Sequence, residues 1–186
     1  MLQRITALFS RPHAARQACA ERLYAAAAAQ SRAAVPFRDH GVPDTLDGRF
    51  DFLCCHIFLL IRRIGREGDA GAALAQDIYD LLFADMDRTL RELGVGDLGV
   101  ARRVQEMAEA LMGRIKAYGD ALDSSEAAPL AAALRRNLFG TLDGVSEVAV
   151  SAVAAYMRSC DARIARQPWA EFCASGPDFD VWGEGA

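Results

Sequence analysis

The stretch FDFLCCHIFLLIRRI, residues 50–64, carries apolar groups on every face of a helix drawn through it. Phe50, Phe52, Leu53, Ile57, Phe58, Leu59, Leu60, Ile61 and Ile64 leave no polar stripe for solvent. A helix apolar all round has to be surrounded. Asp51 and His56 interrupt the run, which falls well short of the roughly 20 apolar residues that a membrane span needs. The stretch therefore predicts the central, most buried helix of a soluble all-α protein. Asp47 offers a cap at its start. Arg62 and Arg63 place cations at its C-terminal end, where the helix dipole favours them, and Gly65 offers a left-handed residue to stop it.

Working outward, strand signals are scarce and helix punctuation recurs. On the N-terminal side, Pro12 fits the first turn of an alanine-rich helix that runs to about Ala34 and ends at Pro36. VPFRDHGVPDTL, residues 35–46, is then the longest irregular connection, and connections of that length are often functional. On the C-terminal side, Asp69 can cap a third helix with the stripe Leu74, Ile78, Leu81, Leu82, Met86, Leu90 and Leu93, ended by Gly94. Val95 and Gly96 turn the chain, and Asp97 can cap a fourth helix with Val100, Val104, Met107, Leu111, Ile115, Tyr118 and Leu122 on one face. So short a break between two stripes implies an antiparallel helical hairpin. A fifth helix starts near Ser125, tolerates Pro129 in its first turn and stops near Gly140. A sixth runs from Ser146 to Pro168. The expected architecture is an irregular bundle of about six helices around a central apolar one. It divides into a basic leader over 1–11, a single helical domain over 12–167 and an acidic, aromatic tail over 168–186.

The chain has 186 residues, 52% of them hydrophobic and 25% charged, with a net charge of −4. A chain of this size builds a substantial core without disulfides or metals. The acidic balance excludes the dominant basic footprint of a nucleic-acid binder, and no direct DNA binding is expected. The first 20 residues hold Arg4, Arg11 and Arg16, with no acid before Glu21. Such a segment suits a frayed end, a transit peptide or weak contact with an anionic membrane surface, each arginine near the surface contributing roughly 1 kcal/mol. Five cysteines, Cys19, Cys54, Cys55, Cys160 and Cys173, form no CxxC motif. They read as small buried groups in a reducing compartment.

Catalytic chemistry finds no constellation. There are three histidines, His13, His40 and His56, with no HExxH and no Glu-x-x-His pair. Neither a catalytic residue nor a metal or cofactor ligand set is expected. Asp77, Asp80, Asp85 and Asp87 cluster on the third helix without a nucleophile or phosphate cradle beside them, which suits a solvated face or a recognition surface. Two segments hold more charge and turn chemistry than folding alone requires. One is GVPDTLDGRFD, residues 41–51, with Asp44, Asp47 and Arg49. The other runs from Asp85 to Asp97, with Asp87, Arg88 and Arg91. These eight residues, Asp85 and Asp97 included, are the candidate partner contacts, and the two segments are expected to lie near each other.

GVPDTLDGRFD, FADMDRTLRELGVGDLGVARRV (83–104) and MAEALMGRIKAYGDAL (107–122) resemble the ubiquinol–cytochrome c chaperone family. The likeness runs through about Tyr24 to Leu122 and more weakly from Leu130 to Arg166. The chain departs from the family where Asn often stands at Thr89, Pro-Lys at Ala101-Arg102, an aromatic pair at Leu111-Met112 and aliphatics at Cys54-Cys55. The resemblance implies a non-enzymatic role in stabilising newly made cytochrome b and assembling it into the bc1 complex. Cytochrome b or another bc1 assembly protein would be the partner. It further implies a cytoplasmic or matrix-side protein peripheral to the inner membrane, with ribosome proximity in mitochondrial members. Two other readings fit the residues themselves. One is a haem- or small-molecule-binding helical protein using His56 or a cysteine as axial ligand. The other is a generic helical adaptor.

Overall fold

The structure, a computed structural model, describes residues 2–142 and 144–182, with side chains described from residue 13 onward except that of residue 70. Eight helices and no strand occur among the described residues: α1 (Leu2–Gln30), α2 (Ala34–Asp39), α3 (Leu46–Gly65), α4 (Asp69–Glu92), α5 (Asp97–Asp123), α6 (Ala128–Asn137), α7 (Glu147–Arg166) and α8 (Trp169–Ser175). The all-α bundle matches the reading of the sequence. The two additional helices are the short α2, inside the stretch expected to be irregular, and α8, in the tail.

The central helix is where the apolar run placed it. Phe52, Cys54, Cys55, Ile57, Leu59, Leu60 and Ile64 are fully buried or nearly so, and α3 packs against α1, α4, α5 and α7. Fully burying each large side chain contributes roughly 1.5–3 kcal/mol. Long-range pairs give the helix directions. Asp51 meets Arg114, Cys55 meets Tyr118 and Arg62 meets Asp123, so α3 and α5 run parallel. His56 with Tyr156 and Arg62 with Asp161 make α7 parallel to α3 as well. Arg16 with Asp77 and Tyr24 with Asp85, each pair 61 residues apart, make α1 parallel to α4. Residues 66–68 and 93–96 are short turns, so α4 runs against α3 and α5. The expected α4–α5 hairpin is present, with Gly94 at φ 83°.

Several expected helix ends shift by a few residues. Thr45, not Asp47, caps α3: its side chain accepts from the Gly48 amide at 3.1 Å. Asp47 lies in the first turn and pairs with Arg103 of α5. Gly65 stays helical, and the left-handed residue is Gly68, at φ 58°. Gly68 and Gly96, not Asp69 and Asp97, occupy the N-cap positions of α4 and α5, with no side-chain cap at either. Ser146 does cap α7, accepting from the Val148 amide at 3.2 Å. Helix α1 begins ten residues before Pro12, at Leu2, and stops at Gln30. Pro36 does not end a helix but sits in the first turn of α2, a position prolines tolerate.

The tail docks. Arg63 lies 5.1 Å from the Trp169 ring and 5.6 Å from Phe172. The Gln167 side chain donates to the Gly176 carbonyl at 2.8 Å and accepts from the Asp178 amide at 3.0 Å. Trp182 stacks on Tyr156 with ring centroids 3.9 Å apart.

Candidate functional site

The first turns of α3, the last turns of α1 and the C-terminal half of α4 meet around a cleft of about 150 Å³. Its floor is apolar, from Leu46, Phe50, Leu53 and Met86, and its rim carries Arg32, Arg49 and Asp85. Leu46 also borders a neighbouring depression lined by Leu90, Val95 and Arg103, between α3 and the α4–α5 hairpin. The two charge-dense segments of the sequence are thus juxtaposed, Arg49 from one and Asp85 from the other.

The remaining candidates divide around this cleft. Asp44 holds Arg49 at 2.5 Å, while the Arg49 guanidinium lies 5.1 Å from the Phe37 ring. Asp47 reaches away to Arg103. Asp85 accepts from Tyr24 Oη at 2.7 Å and also pairs with Arg88. Asp87, Arg91 and Asp97 form a separate ion-pair triad at the α4–α5 turn, with Asp87 to Arg91 at 2.6 Å. Asp87 is held below its ordinary carboxylate range by that arginine, and Arg91 is pushed up by Asp87 and Asp97. Of the other acids on α4, Asp77 receives Arg16 at 2.6 Å and Asp80 receives Gln76 at 2.8 Å. Much of the apparent surplus charge is therefore committed to intramolecular pairs. What protrudes beside it is apolar: Leu98 at the hairpin is 91% exposed, Leu93 is exposed too, and Leu46 is 38% exposed.

Sequence reasoning missed the contribution of the end of α1 and the residues just after it. Ala28, Ser31 and Arg32 line the cleft; the alanines of residues 25–29 were the available signal, since small side chains permit close packing. His56 is the lone core histidine with hydrogen-bond partners that its place in an apolar run suggests, and what the sequence did not reveal is who those partners are. His56 Nδ1 lies 2.9 Å from the Phe52 carbonyl and Nε2 lies 2.9 Å from Tyr156 Oη. A carbonyl only accepts, so Nδ1 carries the proton and Tyr156 donates to Nε2. Gln30 donates to Tyr156 Oη at 3.1 Å and to the Asp180 carbonyl at 2.9 Å. Burial pulls the His56 pKa down to about 4. Both ring nitrogens are engaged, so a metal or haem iron would have to displace one of these hydrogen bonds. The thiols of Cys54, Cys55 and Cys160 are all pushed up by burial, which disfavours the thiolate that ligation or nucleophilic attack requires. Among the described residues no three His, Cys, Asp or Glu side chains group as a metal site, and no helix is long and apolar enough to cross a membrane.

Fold and surface together define an all-helical bundle with a preformed apolar cleft and a charged rim, a shape suited to holding part of another molecule. Residues 38–182 match the family model described as ubiquinol-cytochrome C chaperone, and the chain belongs to that family. It is 28% identical over 102 residues to the ubiquinol-cytochrome-c reductase complex assembly factor 1 of Xenopus laevis, a match covering 55% of this chain and 50% of the relative. The chain thus matches about half the length of that curated relative. Its fold is similar to the crystal structure of the Cbp3 homolog from Brucella abortus, with a TM-score of 0.82, 37% identity, and coverage of 95% of this chain and 97% of that one.

Proposed function

We propose that the protein is a non-enzymatic assembly factor for ubiquinol–cytochrome c reductase, with newly made cytochrome b as its client. The family match over residues 38–182 carries the reading, and the name of the Xenopus laevis relative points the same way. The near full-length likeness to the Brucella abortus protein supports a similar working unit. The client-facing surface centres on Leu46, which borders both depressions, with Arg49 and Asp85 on the rim and the Asp87–Arg91–Asp97 triad beside it. An apolar floor would hold an apolar segment of the client, and the flanking ion pairs would select its orientation.

Such a client is met at a membrane surface. The side chains of Arg4 and Arg11, part of the expected lipid-facing leader, lie outside the described residues. Arg16 is held by Asp77, and Arg22 donates to the Ala174 carbonyl at 2.9 Å.

The test is recovery of tagged protein from membranes of cells making cytochrome b. Wild type is expected to bring cytochrome b with it, and Leu46→Glu is expected to bring several-fold less. Glutamate at the first residue of α3 suits the helix dipole, so the variant should stay folded. Normal levels of assembled reductase in cells lacking the protein would refute the role. Haem binding with a Soret band lost in His56→Ala would favour a cofactor-binding protein instead.

A further inference from the structure

Two cysteines from opposite ends of the chain meet where α1 packs on α8. Contacts on successive turns set the register: Arg22 Nε donates to the Ala174 carbonyl at 2.9 Å. A Cβ built on Gly176 would lie 3.8 Å from Ala26 Cβ. Cys19, Arg22 and Ala26 follow one another at three- and four-residue spacing, so they share the face of α1 that α8 covers. Cys173, beside Ala174, meets that face one turn earlier. That register brings the Cys19 and Cys173 side chains to neighbouring positions. Cys19 is buried and Cys173 half-buried.

The other three cysteines are placed differently. Cys54 and Cys55 are sealed inside α3 and adjacent in sequence, a poor geometry for an ordinary disulfide. Cys160 lies under the tail, where its sulfur accepts from the Asp180 amide at 3.3 Å.

We propose that Cys19 and Cys173 are a redox-modification site, forming a reversible disulfide that staples α1 to α8 by exchange with a low-molecular-weight disulfide of the glutathione type. The partly exposed Cys173 reacts first. It gives its proton to water and its thiolate attacks one sulfur of the small disulfide, forming a mixed disulfide and expelling one small thiolate. Cys19, freed of its proton in turn, attacks Cys173 Sγ and expels the second small thiolate. The two released protons convert both leaving groups to thiols. Two protein sulfurs are oxidised, two small-molecule sulfurs are reduced, and one S–S bond replaces another.

The order of attack follows from the surroundings. Burial and the neighbouring Cys173 push the Cys19 thiol up to about 12. Cys19 is therefore a poor first nucleophile, and its part is to resolve the mixed disulfide, beside which its position on α1 holds it.

The staple would join residues 154 positions apart, tying the helix that walls the cleft to the helix that covers Arg63. A link across so long a loop restricts the unfolded chain strongly, so the oxidised protein should melt at a higher temperature.

The experiment uses the full chain equilibrated with reduced and oxidised glutathione at varying ratio, acid-quenched, alkylated and digested. In an oxidising mixture the wild type should lose two hydrogens in mass, yield one cross-linked peptide pair joining Cys19 to Cys173, and melt higher than its reduced form. Cys173→Ser should show neither the link nor the melting shift. Should Cys19→Ser fail to fold at its buried position, the half-buried Cys173→Ser and the peptide map of the wild type still decide. A glutathione adduct that persists on Cys173, a link through Cys54, Cys55 or Cys160, or no disulfide at all would overturn the proposal.

Discussion

Two ionisable groups on α3, one buried and one half-buried, should cancel each other's effect on stability between about pH 6 and pH 4, and removing either should unmask the other. His56 is fully buried, and burial lowers its pKa from 6.5 to about 4. Through that window the unfolded chain takes up a proton that the native state refuses. The stabilising contribution of neutral His56 is complete above 6.5 and is lost as pH falls to 4, a displacement of roughly 2.5 pH units worth about 3 kcal/mol. Asp51 shifts the opposite way. It pairs with Arg114 at 2.6 Å, with both side chains only 14–15% exposed. Burial outweighs the arginine and pushes the carboxyl from 3.8 up to about 6. Between those values the native state keeps a proton that the unfolded chain releases. Its stabilising contribution is complete below 3.8 and is lost as pH rises through 6, again about 3 kcal/mol.

The assay is urea unfolding from about pH 7 to about pH 4 for wild type, Asp51→Asn and His56→Gln. Wild type should be nearly flat between 6 and 4. Asp51→Asn should lose stability on acidification with a slope approaching 1.4 kcal/mol per pH unit, and His56→Gln should gain stability with a similar slope. The slope is the readout, so a lower starting stability in either variant does not disturb it. Carboxylates held low by partners, such as Asp39, Asp87, Glu106 and Asp180, titrate mostly below this window. Parallel curves for all three proteins would refute the reasoning, and so would a His56→Gln variant that weakens as pH falls through the window.

Phe58→Ala should cost about 3–5 kcal/mol in urea unfolding, because Phe58 is 2% exposed and packs edge-on to Tyr118 at 5.6 Å. Trp182→Ala should cost less, roughly 1–3 kcal/mol, because Trp182 is only half-buried; faster proteolysis of the tail, with the bundle intact, is the expected sign of a lost stack on Tyr156. Asp87→Arg should leave the protein helical and soluble, since Asp87 is 43% exposed and surface pairs contribute little to stability; in cells carrying it as the sole copy, assembled reductase should fall. Normal assembly would remove Asp87 from the client surface, and unfolding would give it a purely structural role.

The central helix was legible because burial on every face of residues 50–64 is a property of composition alone. Helix ends were less so, because the deciding contacts cross the chain. Asp47 and Thr45 are both competent caps, but Asp47 is drawn to Arg103, 56 residues away, which leaves Thr45 to cap. Pro36 reads equally as the end of one helix or the first turn of the next, and the structure takes the second option. Pro12 reads as a helix start because a proline inside a helix removes one hydrogen bond, yet that loss does not forbid helix on its N-terminal side.

The candidate surface failed to be legible in a more instructive way. Local density of charge drew attention to Asp44, Asp47, Asp85, Asp87 and their arginines, but a sequence does not say which charges are already paired. Asp85 holds Tyr24 of α1, 61 residues away, and Asp87, Arg91 and Asp97 satisfy one another. Such pairs orient a partner at modest gain, because the partner must compete with an existing bond. An apolar side chain kept in water has no competing partner, and covering it is favourable from the first contact. Leu46 and Leu93, inside the charged segments, and Leu98, one residue past the second, were not among the candidate contacts, yet they are the places where binding energy remains to be gained. On the proposed client surface, the ion pairs around them would chiefly decide what is allowed to bind.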